Sequence, residues 1–178
     1  MTESAAPDTE RVVVLGVEQF PERAKTATGV LKCADSDVVA VLDRDRAGTV
    51  TTDHRADLPE VPIVESMTDA PAADTLLIGV APIGGGFDDS WRPDVRAAIE
   101  RGCDVVAGLH YFLEDDEEFS ALAAEHGVAL RDVRNPPADL TVASGASADV
   151  DAEVVLTVGT DCSVGKMTVA LELVEAAR

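Results

Sequence analysis

Apolar residues along this 178-residue chain gather into short blocks rather than one continuous stripe. Blocks rich in Val, Ile, Leu and Ala occupy residues 12–17, 38–43, 61–64, 75–80, 104–109, 128–133 and 154–158. Most lack polar alternation, which predicts strands buried on both faces, as in a parallel sheet. Between them, amphipathic stretches predict helices over 22–33, 92–102 and 115–126. In the second, Val95, Ala98, Ile99 and Gly102 recur at helical spacing, and Gly102 supplies a C-terminal stop. In the third, the acidic run 114–118 lies at the positive end of the helix dipole, and Phe119, Leu122 and Ala123 form the buried stripe.

Strand, helix and strand in repetition predict an α/β fold: an open, mostly parallel, Rossmann-like sheet with helices on both faces. Residues 1–10 read as a disordered leader and 11–134 as this first domain. Asn135, Pro136 and Pro137, followed by Ser-, Ala- and Asp-rich sequence, make 135–152 a linker. The pattern restarts at 153–178 with a strand, a glycine loop and a helix.

Charge narrows the partners. With 34 acidic against 14 basic side chains, the net charge of −20 repels nucleic acid and anionic membrane surfaces. No apolar run approaches the roughly 18 residues of a membrane span, and the polar, acidic start is unlike a signal peptide. A cytoplasmic protein acting on a small molecule is expected, in a high-salt cytoplasm of the halophilic archaeal kind, where screening tolerates dense acid. Cys33, Cys103 and Cys162 are far apart and form no CxxC, so no disulfide framework or zinc cluster is indicated.

The strongest chemical signal follows the block 154–158. Gly159, Thr160, Asp161, Cys162, Ser163, Val164, Gly165, Lys166, Met167 and Thr168 approximate the phosphate loop G-x-x-x-x-G-K-[ST]. Five residues separate the two glycines, and Met167 intrudes before Thr168, so the loop is a variant. Backbone N–H groups and the helix start can surround a phosphate while Lys166 adds a point charge. Thr168 is the candidate to meet a magnesium ion or the phosphate itself. The long loop and its Gly-Thr-Asp opening resemble dethiobiotin synthetase. Such a loop can hold either ATP or the phosphates of acetyl-CoA.

In the first domain, ligands of an open α/β sheet are expected beyond the carboxyl ends of the strands. Gly84, Gly85 and Gly86 permit close backbone approach or simply make a surface loop. His110 is a candidate acid or base, or a structural histidine. Lys25 at the first helix start could meet an anion, and Asp43 stands where a ribose-binding acid would lie. The dinucleotide fingerprint G-x-G-x-x-G is absent. His54 and His126 have no metal-ligand spacing, and Trp91 is expected to pack at the entry to the second helix.

Residues 22–27, 39–43, 77–86, 106–110 and 158–168 resemble a P-loop family that includes D-glutamate N-acetyltransferases of the DgcN type, long known only as a domain of unknown function. The resemblance runs in order along nearly the whole chain. It implies a Rossmann-like domain followed by a P-loop domain, roughly double this length, and acetyl transfer from acetyl-CoA to D-glutamate or a related amino acid. This chain would then be the first domain plus the opening of the second, inactive alone and prone to self-association as a homo-oligomer. The alternatives are an ATP-dependent ligase or kinase of the dethiobiotin synthetase type, or a nucleotide-binding domain without catalysis.

Overall fold

The computed structural model describes residues 9–140, 144–161 and 164–178. The chain divides into two compact units, Met1–Pro136 and Pro137–Arg178. The first contains six strands: β1 (Arg11–Leu15), β2 (Asp37–Leu42), β3 (Ile63–Val64), β4 (Thr75–Ile78), β5 (Asp104–Ala107) and β6 (Leu130–Asp132). They form one sheet in the order β3-β2-β1-β4-β5-β6, every pair parallel. Helices α1 (Lys25–Cys33), α2 (Thr51–His54), α3 (Arg92–Glu100) and α4 (Glu117–His126) fill the connections. The chain runs outward from β1 to β3, returns to β4, and runs the other way to β6. Right-handed crossovers therefore place helices on both faces, with a topological switch between β1 and β4.

The sheet is buried on both faces, as its unalternating runs require. Val13, Val14, Leu15, Val41, Leu42, Leu76 and Val105 are all fully buried. Three helix ends explain themselves locally. Pro93 sits in the first turn of α3, where its missing N–H costs nothing. Asp116 caps α4 by accepting from the amides of Glu118 at 3.0 Å and Phe119 at 3.1 Å. Gly127, at φ 69°, ends α4 in the left-handed region.

The expected leader reaches less far than residue 10. Residues 1–8 lie outside the described residues, but the Glu10 carbonyl accepts from the Asp37 amide at 2.9 Å, and its carboxylate accepts from Thr75 Oγ1 at 2.6 Å. Glu10 thus extends β1 across two neighbours.

The second unit holds one α-helix, α5 (Lys166–Ala177), and a 3-10 turn over Ala146–Ala148 among its described residues. The strand expected over 154–158 is not formed: this stretch pairs with no strand, and Val155, Leu156 and Val158 are 72%, 79% and 80% exposed. Its composition suits a strand flanked on both sides, and the described residues of the unit supply no flanking strand. Part of the expected linker, residues 141–143, lies outside the described residues. Among the described residues no helix is long and apolar enough to cross a membrane.

Candidate functional site

The switch between β1 and β4 is where a Rossmann sheet usually receives a nucleotide, and here α1 packs closely against it. After β1 the chain turns through Gly16–Phe20; the amides of Gln19 and Phe20 both donate to the Gly16 carbonyl, and the Phe20 ring is fully buried. Helix α1 then packs directly on the end of β4. A Cβ on Gly79 would lie 2.6 Å from Val14 Cγ1 and 2.8 Å from Ala27 Cβ, so only glycine admits this approach. The Ala27 amide, in the first turn of α1, donates to the Gly79 carbonyl at 2.9 Å. An amide that could face a pyrophosphate is therefore committed to the protein.

Two candidates sit at this end of the sheet without meeting in a pocket. Lys25 opens α1 and is exposed. Asp43 is fully buried after β2: Oδ1 accepts from the Asp45 amide at 3.1 Å and Oδ2 from Arg46 Nη1 at 3.4 Å. Burial raises its carboxyl above the usual range, partly offset by Arg46. Asp43 caps a 3-10 turn (Arg44–Arg46) and presents no oxygen to solvent.

The open end of the sheet lies beside the switch, over β4, β5 and β6. Ala81, Pro82, Gly84 and Gly85 after β4, Gly108, Leu109 and His110 after β5, and Arg134 after β6 line a pocket of about 220 Å³. Gly85, at φ 69°, lets the His110 ring approach the loop closely: a Cβ there would collide with His110 Cδ2. The His110 amide donates to the Gly85 carbonyl at 2.8 Å, locking the two loops together. Arg134 Nη1 lies 2.9 Å from His110 Nε2. Guanidinium can only donate, so Nε2 accepts, and the lone pair that a base would use is held by Arg134. Gly86 lies outside the pocket lining.

A rigid network braces the loop that carries His110. Tyr111 stacks on Phe87 at 5.2 Å between ring centres, and its hydroxyl donates to Asp116 Oδ2 at 2.5 Å. Arg92 Nη2 donates to the same oxygen at 2.8 Å, and its guanidinium lies 4.6 Å from the Phe119 ring centre. The Arg92 hydrogen bond, with help from Tyr111, holds the Asp116 carboxyl well below the usual carboxylate range. Asp116 in turn raises the Tyr111 phenol.

In the second unit the described ends of the predicted phosphate loop approach each other. A Cβ on Gly159 would meet Val164 Cγ2 at 2.8 Å and Lys166 Cγ at 3.1 Å, so the two ends of the loop touch. Lys166 Nζ donates to the Asp161 carbonyl at 2.5 Å, across the loop. Gly165 (φ 91°) turns the chain into α5, and the first helical bond runs from the Val169 amide to the Gly165 carbonyl. The amides of Lys166, Met167 and Thr168 precede it and have no acceptor within the helix. Thr168 is exposed on the first turn. Cys162 and Ser163 lie outside the described residues. Amides at a helix start, a lysine and a closely approaching glycine together fit a phosphate group. Among the described residues, no cluster of His, Cys, Asp and Glu could hold a metal ion.

The first unit is thus a Rossmann-like domain, and the second carries the glycine–lysine loop and helix start of a P-loop sequence. Residues 44–136 match the Rossmann-like N-terminal domain of DUF1611, described as a domain of unknown function, and residues 141–178 match the P-loop domain of the same family. The chain belongs to the DUF1611 family. It is 40% identical over 104 residues to a D-glutamate N-acetyltransferase of Pseudoalteromonas sp and 41% identical to one of Tritonibacter scottomollicae. Each match covers 58% of this chain and 31% of the relative. A crystal structure of a DUF1611 protein from Anabaena variabilis is 38% identical with a TM-score of 0.86, over 95% of this chain and 50% of that one. An amine dehydrogenase of Mycobacterium smegmatis (18% identical, TM-score 0.52, 70% of this chain and 39% of that one) shares the fold alone. The chain thus spans about half the length of the solved relative and a smaller share of the curated ones.

Arg134 had no signal in the sequence, where it stood as the last residue of the first domain. Its position directly after the last strand, on the carboxyl edge of the sheet, was the clue available.

Proposed function

We propose that the chain is part of an acetyl-CoA-dependent N-acetyltransferase acting on D-glutamate or a related amino acid, and that residues 159–168 hold phosphates of the acetyl donor. The observation that carries the binding half is the meeting of the loop's described ends: Gly159 packs on the Lys166 stem while Nζ reaches the Asp161 carbonyl. A phosphate oxygen can replace that carbonyl as the acceptor, and the first-turn amides of α5, which have no acceptor within the helix, can add to it. The acetyl acceptor rests on the names of the relatives at about 40% identity.

In such a transfer the neutral amine attacks the thioester carbonyl. A C–N bond forms, the C–S bond breaks, and the amine proton passes to a base while CoA leaves as the thiolate. His110 serves as that base only if it first gives up Arg134.

Calorimetry in molar KCl with acetyl-CoA, CoA and Mg·ATP tests the reading. Acetyl-CoA and CoA should bind, and Lys166→Ala should weaken both at least about tenfold, the scale of one charged hydrogen bond. Binding of Mg·ATP that CoA does not displace would favour the ligase or kinase reading instead. Undiminished CoA binding by Lys166→Ala would refute the role of the loop.

A further inference from the structure

The geometry points to a carboxylate-binding site in the first unit, built on Arg134 and held in place by His110, that takes the amino-acid acceptor. This rests on the acyl-transfer reading for the identity of the ligand, and on the pocket alone for its chemistry.

Most arginines of this acidic chain face carboxylates: Arg44 meets Asp94, Arg92 meets Asp116, Arg96 meets Glu118 and Arg131 meets Asp104. Arg134 instead faces a neutral acceptor, His110 Nε2. The nearest acid in sequence is turned away: Asp132 accepts from the amides of Leu113 and Glu114 at 3.0 and 3.1 Å. One guanidinium N–H is used on His110, and four remain for a planar two-oxygen acceptor, the geometry a carboxylate offers. At about 220 Å³ the pocket is smaller than the roughly 300 Å³ at which drug-sized ligands begin. It suits a metabolite of a few heavy atoms. Its remaining walls, Ala81, Pro82, Gly84, Gly85, Gly108 and Leu109, carry no charged side chain.

His110 is the positioning residue in this arrangement. Its ring rests on Gly85, its amide is tied to the Gly85 carbonyl, and its Nε2 fixes one end of an otherwise exposed side chain. An arginine held this way loses less rotamer freedom on binding than a free one.

The test titrates D-glutamate, glutarate and inorganic phosphate into the protein in molar KCl, where chloride already competes at unspecific cationic sites. D-Glutamate and glutarate should bind, and Arg134→Gln should weaken both at least about tenfold. Arg131→Gln, at a surface ion pair, should leave them unchanged. His110→Gln keeps an acceptor for Arg134 and should retain most of the affinity, while His110→Ala should not; a base role predicts that both fail in turnover and neither affects binding. The urea midpoint of each variant, followed by Trp91 fluorescence, confirms folding. Equal D-glutamate affinity in Arg134→Gln, or phosphate binding at this arginine in preference to the carboxylates, overturns the site. Lys166-dependent CoA binding with no D-glutamate binding sinks the pocket alone. Arg134-dependent D-glutamate binding with no CoA binding sinks the donor reading and leaves the pocket standing.

Discussion

Replacing Asp116 by alanine removes the point at which α3, α4 and the His110 loop are joined. Its Oδ1 caps α4 through two amides, and its Oδ2 accepts from Arg92 and Tyr111. Loss of an N-cap costs about 0.5–2 kcal/mol. Loss of a hydrogen bond to a charged partner costs about 1.5–3 kcal/mol. Arg92 is 26% exposed and keeps Glu118 at 2.9 Å, so the lower half of that range applies. The expected total is about 2–4 kcal/mol, a large share of the roughly 5–15 kcal/mol by which domains are stable. Asp116→Asn keeps an oxygen for the cap and should cost about half as much. Trp91, the single tryptophan, is buried 5.5 Å from Phe87 and reports unfolding of this unit. With a urea slope of about 1–3 kcal/mol/M, the alanine variant should unfold about 0.7–4 M earlier. The pH dependence has a definite sign. Arg92 depresses the folded-state value of Asp116. Its contribution is therefore complete above the unfolded value near 4 and fades as pH falls below it. The gap between wild type and Asp116→Asn should narrow from about pH 5 downward. A gap that is constant with pH, or an alanine cost under about 0.5 kcal/mol, would show that the network contributes nothing beyond an ordinary surface site.

Gly79→Ala should destabilise the first unit by about 2–3 kcal/mol, the upper part of the overpacking range, because the new methyl meets the Leu15 carbonyl at 3.0 Å as well as two side chains; urea unfolding measures it. Burial raises the Asp94 carboxyl, opposed by the Met67 amide and Arg44. Arg44→Ala should therefore cost about 3 kcal/mol near neutral pH and less as pH falls toward 4, since a buried carboxylate without its partner prefers its proton. Asp94→Asn, which keeps an acceptor for the Met67 amide, should be milder, and its cost should shrink rather than grow as pH rises; unfolding midpoints between about pH 4 and 7 compare the two.

The sheet was legible because its strands are buried on both faces and carry almost uninterrupted Val, Ile and Leu. The expected ends overshot by two residues at β1, β4 and β5, since apolar residues such as Val17, Val80 and Leu109 stay buried after the ladder ends. Helix α2 was not legible: it is held by Thr51, whose hydroxyl accepts from the Val61 amide at 3.0 Å and donates to the Pro59 carbonyl, contacts with no periodicity. The stretch 154–158 shows the converse, a strand composition without strand partners. Spacing suggested a ligand role for Asp43, and folding spends its oxygens on a turn and on Arg46. The glycines at 84 and 85 were visible, but what they serve, the seating of His110 and through it of Arg134, required three loops to be brought together.

Close packing of α1 against the switch between β1 and β4 has a consequence for where this fold can do chemistry. A dinucleotide site needs a glycine turn with open amides at the start of α1, whereas here Phe20 packs beneath the turn and Gly79 takes the Ala27 amide. The same parallel sheet still ends in loops rich in backbone donors, and those after β4, β5 and β6 remain open. They are also the best braced: Arg92 stacked on Phe119, Phe87 against Tyr111, and Asp116 between them fix the residue next to His110. Bracing of this kind lowers the entropy lost when a small ligand is held, which matters most where one guanidinium supplies most of the attraction.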